Sequence, residues 1–325
     1  MDRSTTPPGE PSHAPSYLPD HPRGRRRPAA RRGHRHRGDR APLSAAHHQP
    51  LQADRLTAAR EHHRRPHRGG VPDLLLRPPD RPGLPGHRPH VLATLPAPAR
   101  ASTPNLGKAF VGGIVRADDG TLYVTYATGT ADLTGVWAVR PGGRPHRIAA
   151  LPADGLPNGL ALDQHAKKLY VTDSVRGVIY RLPTRGGKAT FWAKGTPLEP
   201  TTFAGANGLK LHNGSVWATN LDRGTVLRIP VTARGTAGTI QIRATGMPSI
   251  DDFAFTGHGD TLLAARDSNE VDLVRPSGTH TVVLTPADGL QTPTSVAVHD
   301  GKAYIPSAAY MTDEDPNLLI AHIDR

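Results

Sequence analysis

A chain of 325 residues with 34 Gly, 33 Pro, no Cys and a formal charge of +12 is long enough for one large β domain or two ordinary domains. The absence of cysteine excludes disulfide frameworks, thiolate metal sites and thiol nucleophiles. Residues 1–90 hold 18 Arg against 8 acids, whereas the remaining residues hold 22 basic and 20 acidic side chains, so the basic character belongs to the N-terminal segment and says little about the folded part.

Residues 1–90 contain no Lys, Ile, Phe, Asn or Trp and a single Tyr. Too few large apolar side chains are present to offset the entropy of ordering, so disorder is expected here. Three origins fit this composition. It suits a tail encoded by a GC-rich genome. It also suits an Arg-rich arm, since GRRRPAARRGHRHRGDR could neutralise phosphates. That run lacks interleaved aromatics and a folded reader, so no nucleic-acid partner is expected. The third origin is a shifted reading frame. Back-translating Ala59 to Leu84 and moving the frame by one base permits PENTTVDRTGAVYLTSYFAHRIVRVY, with the layout of the later RADDGTLYVTYATGTADLTGVWAVRP. On that reading the segment holds a first repeat unit translated out of frame. His47, His48, Glu61, His62, His63 and His67 have metal-like spacing but fall in this segment, and no site is expected from them. No apolar run approaches the roughly 20 residues of a membrane helix, and the N-terminal residues show no apolar core of an export signal. A soluble chain without a membrane partner is the expectation.

From Val91 to Arg325 the pattern is β throughout. Leu156 to Pro183 read LPNGLALDQHAKKLYVTDSVRGVIYRLP, in which apolar residues alternate through GLALD, KLYVTDS and VIYRLP with turn-formers between them. The pattern recurs after Val111, Ala204, Ser249 and Thr292. Gly113, Gly159, Gly208, Asp252 and Ser295 hold equivalent positions, separated by steps of 46, 49, 44 and 43 residues, the period of a four-stranded unit. The first run of each unit (GIVRA, GLALD, GLKLH, DFAFT, SVAVH) is small and apolar, as an innermost strand near a crowded axis requires; the third and fourth runs carry more Arg and Lys and suit an outer edge. The expected architecture is an all-β β-propeller domain over 91–325 with five legible blades and a first blade degraded or missing. The last unit ends after its third strand, so its edge needs a strand from elsewhere. His90 to Pro96 (HVLATLP) could close a five-unit ring, or be the outer strand of a damaged first unit.

The motifs PNGLAL with KLYVTDS, then GANGLKL, SVWATN, GTVLRIPV and SIDDFAF, resemble the six-bladed propellers of the SMP-30/gluconolactonase/LRE-like family over about Val91 to Arg325. The resemblance implies one divalent metal over the central channel and hydrolysis of a small lactone or sugar ester. Matched motif by motif, it implies Asn158, Asn207 and Asp251 as metal ligands, with Asp251 also the general base and Asp252 its neighbour in register. The Glu-bearing PEN motif of the family is absent; the shifted frame permits it across Arg60 to His62. The resemblance allows a cytoplasmic or a secreted monomer acting on a small molecule.

From the residues alone, Asn amides and a carboxylate suit Ca²⁺, Mg²⁺ or Mn²⁺, and Zn²⁺ can also be held this way. Equally, Asn158-Gly159 and Asn207-Gly208 are ordinary turn dipeptides, and Asp commonly bonds its own loop. Asp173-Ser174, Asn220 and Arg266-Asp267 follow second strands on the same face and are expected to make turns rather than line a pocket. Tyr310-Met311 are expected to cover the channel. No nucleophile elbow and no Gly-rich strand-to-helix loop is present, so serine-hydrolase and nucleotide chemistry have no support. The alternative to an enzyme is a propeller that binds a ligand or protein on its loop-bearing face.

Overall fold

The computed structural model describes residues 52–54, 73–76, 90–310, 312, 314 and 316–323. The strands are β1 (Gln52–Asp54), β2 (Asp73–Leu76) and β3 (His90–Thr94), followed by regular groups of four. Blade 1 is β4 (Phe110–Arg116), β5 (Leu122–Ala127), β6 (Gly135–Val139) and β7 (His146–Ala150). Blade 2 is β8 (Pro157–Asp163), β9 (Lys168–Asp173), β10 (Val178–Pro183) and β11 (Thr190–Lys194). Blade 3 is β12 (Ala206–His212), β13 (Ser215–Asn220), β14 (Thr225–Pro230) and β15 (Gln241–Ala244). Blade 4 is β16 (Ile250–Phe255), β17 (Leu262–Arg266), β18 (Glu270–Val274) and β19 (His280–Leu284). Blade 5 has β20 (Ala297–His299), β21 (Lys302–Ser307) and β22 (Asn317–His322). Each blade is an antiparallel meander in chain order, and the first strands of successive blades touch one another, which makes them the inner strands of a β-propeller.

The outer edge of blade 5 is closed by β1, with Gln52 opposite His322, Ala53 opposite Ala321 and Asp54 opposite Ile320. The run at His90 does not perform that closure. Instead β3 pairs with β2, Asp73 opposite Thr94, in a two-stranded sheet. Two strands thus fall within 1–90; the remainder of that segment, with its histidines and the Arg60 to His62 codons, lies outside the described residues. The two-stranded sheet is seated on blade 1. Ala93 joins Leu122, Val124 and Val139, while Leu95 joins Tyr126 and Trp137. The buried Tyr126 hydroxyl donates to the Pro96 carbonyl at 3.0 Å, and burial pushes its pKa up to about 12.

Alternation along each strand builds the core between blades. In β9, Leu169 and Val171 face blade 1, where they meet Val136, Ala138 and Tyr123, while Tyr170 faces blade 3 and meets Leu209 and Leu227. Trp217 and Met247 of blade 3 pack on Phe253 and Leu262 of blade 4, and Leu263 and Ala265 pack on Ile305 and Leu319 of blade 5. A period of two therefore serves both neighbours of every strand, which is why the units read as short alternating runs. Among the described residues no helix is long and apolar enough to cross a membrane.

Candidate functional site

In blades 1 to 4 the inner strand breaks register near its start, between Val111 and Ile114, Pro157 and Leu160, Ala206 and Leu209, and Ile250 and Phe253. These bulges hold Gly112-Gly113, Asn158-Gly159, Asn207-Gly208 and Asp251-Asp252 at one end of the ring, and a bulge re-aims the side chains it carries. Glycine is required at the second position in blades 2 and 3. A Cβ on Gly159 would run into the Asn207 carbonyl, and one on Gly208 would meet Asp252.

A threonine on the second strand of blades 1, 2 and 3 ties the bulge of the next blade to its own. Thr125 donates to the Asn158 carbonyl at 2.6 Å, Thr172 to the Asn207 carbonyl at 2.5 Å, and Thr219 to the Asp251 carbonyl at 2.5 Å. Thr172 and Thr219 also accept the N–H of Gly159 at 2.7 Å and of Gly208 at 2.8 Å in their own blades. The three residues singled out from sequence are thus placed side by side around the ring, their backbones held by equivalent bonds. The threonine relay escaped the sequence reading, although the shared Thr of TLYVTYA, KLYVTDS and SVWATN carried the signal.

The side chains differ from blade to blade. Asn158 donates to Ser174 Oγ at 3.2 Å, and Ser174 donates to the Ala206 carbonyl at 2.8 Å, so this amide is braced toward blade 3. Asn207 is 3% exposed and its side chain favours the charged form of Asp251, while its own Oδ1 is buried with no partner among the described residues. Although part of its surface opens to the mouth, Asp251 is densely enclosed. That burial, with the charges of Asp267 and Asp252, holds its carboxyl well above the ordinary range against the pull of Lys210 and Asn207.

Asp252 is engaged elsewhere. Its two oxygens take Lys210 Nζ at 2.6 and 2.7 Å, and Ser295 Oγ donates to it at 2.8 Å, linking blades 3, 4 and 5. Asp267 directly follows the second strand of blade 4, as Ser174 follows that of blade 2. Its Oδ1 is buried without a partner among the described residues, and burial pushes its pKa up to about 6. The turn expected there does not use this side chain. By contrast, Asp173 accepts the N–H groups of Leu156 and Arg176 at 2.9 and 3.1 Å, and Asn220 bonds Pro197, Glu199 and Arg223, so both make the expected turns.

Tyr310 lies over this region. The residue is 57% exposed with Lys108 Nζ 5.8 Å from the ring centroid, while burial, then Asp251 and Asp267, raise the pKa of its hydroxyl. Met311 lies outside the described residues. Three non-glycine loop residues, Ser249 before β16, Thr292 before β20 and Ala309 after β21, have φ of 60°, 54° and 53°. Such strain costs on the order of 1–3 kcal/mol per residue and gathers at functional surfaces.

No group of three or more His, Cys, Asp or Glu converges among the described residues. The donor set here is of another kind: two carboxylates and two amides, with two buried oxygens unpartnered. Oxygen donors of this sort fit a hard divalent cation. No family model and no curated protein matches the chain. Among solved structures, an auxiliary nutrient binding protein from Bacteroides ovatus is similar at 13% identity with a TM-score of 0.51, over 68% of this chain and 60% of that one. Its counterpart from Bacteroides thetaiotaomicron is similar at 10% identity with a TM-score of 0.50, over 66% and 59%. A luciferin-regenerating enzyme is 14% identical with a TM-score of 0.48, over 66% and 78%. This chain therefore spans less than two thirds of the two nutrient binding proteins. At these identities the likeness concerns the fold. The fold is a β-propeller.

Proposed function

We propose that the chain is a six-sector propeller of the SMP-30/gluconolactonase/LRE-like kind, its first sector contributing β2 and β3, and that the mouth around Asn158, Asn207 and Asp251 hydrolyses a small lactone or sugar ester. The observation that carries this reading is the buried, partnerless Oδ1 of Asn207 beside Asp251, since an amide oxygen left bare next to a carboxylate suits a cation between them. Asn158, Asn207 and Asp251 would hold a divalent ion such as Ca²⁺, Mg²⁺, Mn²⁺ or Zn²⁺, which when bound polarises an ester carbonyl.

The chain's own residues account for the rest of the chemistry. Ionised Asp251 accepts a proton from the attacking water, and its raised pKa makes it a stronger base than an ordinary aspartate. Asn207 orients that carboxylate, and the threonine relay holds both backbones. Tyr310 restricts water above the mouth. Hydrolysis of sugar lactones by the purified chain, followed with a pH indicator with and without added Mn²⁺ or Ca²⁺, tests the reading. Metal-stimulated turnover that falls on the order of a hundredfold or more in Asp251→Asn is expected. Equal hydrolysis by both chains, or lactone binding without turnover, overturns it; the latter outcome marks a binding module.

A further inference from the structure

Asp251 and Asp267 occupy the positions that Asn158 and Ser174 occupy in blade 2. There the two side chains meet at 3.2 Å. In blade 4 the equivalent register, Ile250 opposite Arg266 as Pro157 is opposite Asp173, puts two carboxylates at these positions. The cations on neighbouring strands are already committed. Lys210 is held by both oxygens of Asp252, and Arg266 by Glu270 at 2.5 Å, Asp272 at 3.4 Å and the Pro248 carbonyl at 3.1 Å. Among the described residues, Asp267 Oδ1 and Asn207 Oδ1 are buried oxygens without a partner, as is Asp173 Oδ2 in the loop of blade 2.

We propose that Asp267 is a fourth ligand of the divalent cation, supplying the second carboxylate beside Asn207 and Asp251. This inference rests on the reading above and adds to it a residue outside the resemblance. Two carboxylates with two amides match the mixed oxygen shells that hard cations take, and a cation there relieves the repulsion between the two aspartates. The pair is then strained without metal and relaxed with it.

Mn²⁺ is the probe, titrated into the metal-stripped full chain by calorimetry and by the loss of its free electron-resonance signal. Asp267→Asn keeps the shape, and Asp267→Ser restores the residue type of blade 2, so a folded control remains if one variant misfolds. Mn²⁺ affinity at least tenfold weaker in these variants is expected, together with a higher melting temperature in the metal-free state and a smaller rise on adding Mn²⁺. A purely structural aspartate would lower the metal-free melting temperature instead. If the unaltered chain binds Mn²⁺ and Asp251→Asn weakens it while both Asp267 variants bind as before, this inference falls and the lactonase reading stands. No binding by the unaltered chain overturns both.

Discussion

Thr172 donates its hydroxyl proton to the backbone carbonyl of Asn207 while accepting the N–H of Gly159, so one side chain in blade 2 fixes the bulges of blades 2 and 3 together. Thr172→Val keeps the volume and β-branching but leaves a buried carbonyl and a buried N–H without this partner. The expected loss is about 2–4 kcal/mol in urea unfolding, with Thr172→Ser recovering most of it. A change below about 0.5 kcal/mol in Thr172→Val would remove the relay from the account of the ring.

Close approach of inner strands sets a second expectation. Gly159→Ala places a methyl against the Asn207 carbonyl and the Thr172 hydroxyl, so strands β8 and β12 must separate. Destabilisation of about 1–3 kcal/mol is expected from the contact, whereas Gly214→Ala, with open space around its Cβ, carries only the backbone cost of its left-handed φ of 64°, about 1 kcal/mol. Thermal melting of the two variants side by side measures the difference.

The Lys210–Asp252 pair is partly buried, with side chains 31% and 19% exposed. Removing either partner strands the other near Asp251, whereas removing both is milder. Lys210→Met and Asp252→Asn should each cost about 1–3 kcal/mol, and the double variant less than their sum. A double-mutant cycle by denaturant unfolding reads the coupling, and additive losses would mean the pair is solvated.

Two aspartates impose opposite pH dependence. Asp267 keeps its proton up to about 6 in the folded chain but ionises near 3.9 when unfolded, so its contribution is complete below about 4 and is lost as pH rises through about 6. Asp251 shifts in the same direction, and Tyr310 and Lys210 face the pair. Asp222 does the reverse. Burial would raise it, but the N–H groups of Thr201, Thr202, Phe203 and Ala204 outweigh that and hold it at about 2, so its contribution is present above about 4 and is lost as pH falls through about 2. Metal-free stability should therefore fall between about pH 4 and 6. Asp267→Asn should flatten that slope, and Asp222→Asn should flatten the acid limb alone. Melting temperatures across pH 2 to 8 follow both.

Blade spacing, strand order within each blade and the neighbourhood of Asn158, Asn207 and Asp251 were legible in the sequence because alternation and turn residues are local signals. The edge partner of Asn317–His322 was not: three residues, Gln52–Asp54, carry no pattern long enough to stand out from Arg-rich surroundings, whereas HVLATLP looks like a strand and pairs with Asp73–Leu76. Asp267 reads as one more turn residue, since Asp173 one position earlier in the equivalent loop is one. What separates them is whether a backbone N–H points at the carboxylate, a long-range property of the packed ring. Thr172 is hidden for the same reason, because its partner lies 35 residues away.

The pairing of Gln52–Asp54 with Asn317–His322 also governs assembly. Blades 1 to 4 are each contiguous in the chain and can form as they are synthesised, through short hairpins. The clasp joins the earliest described strand to the latest, so the ring stays an open crescent until the final strand arrives, and the slowest folding event should be this one closure.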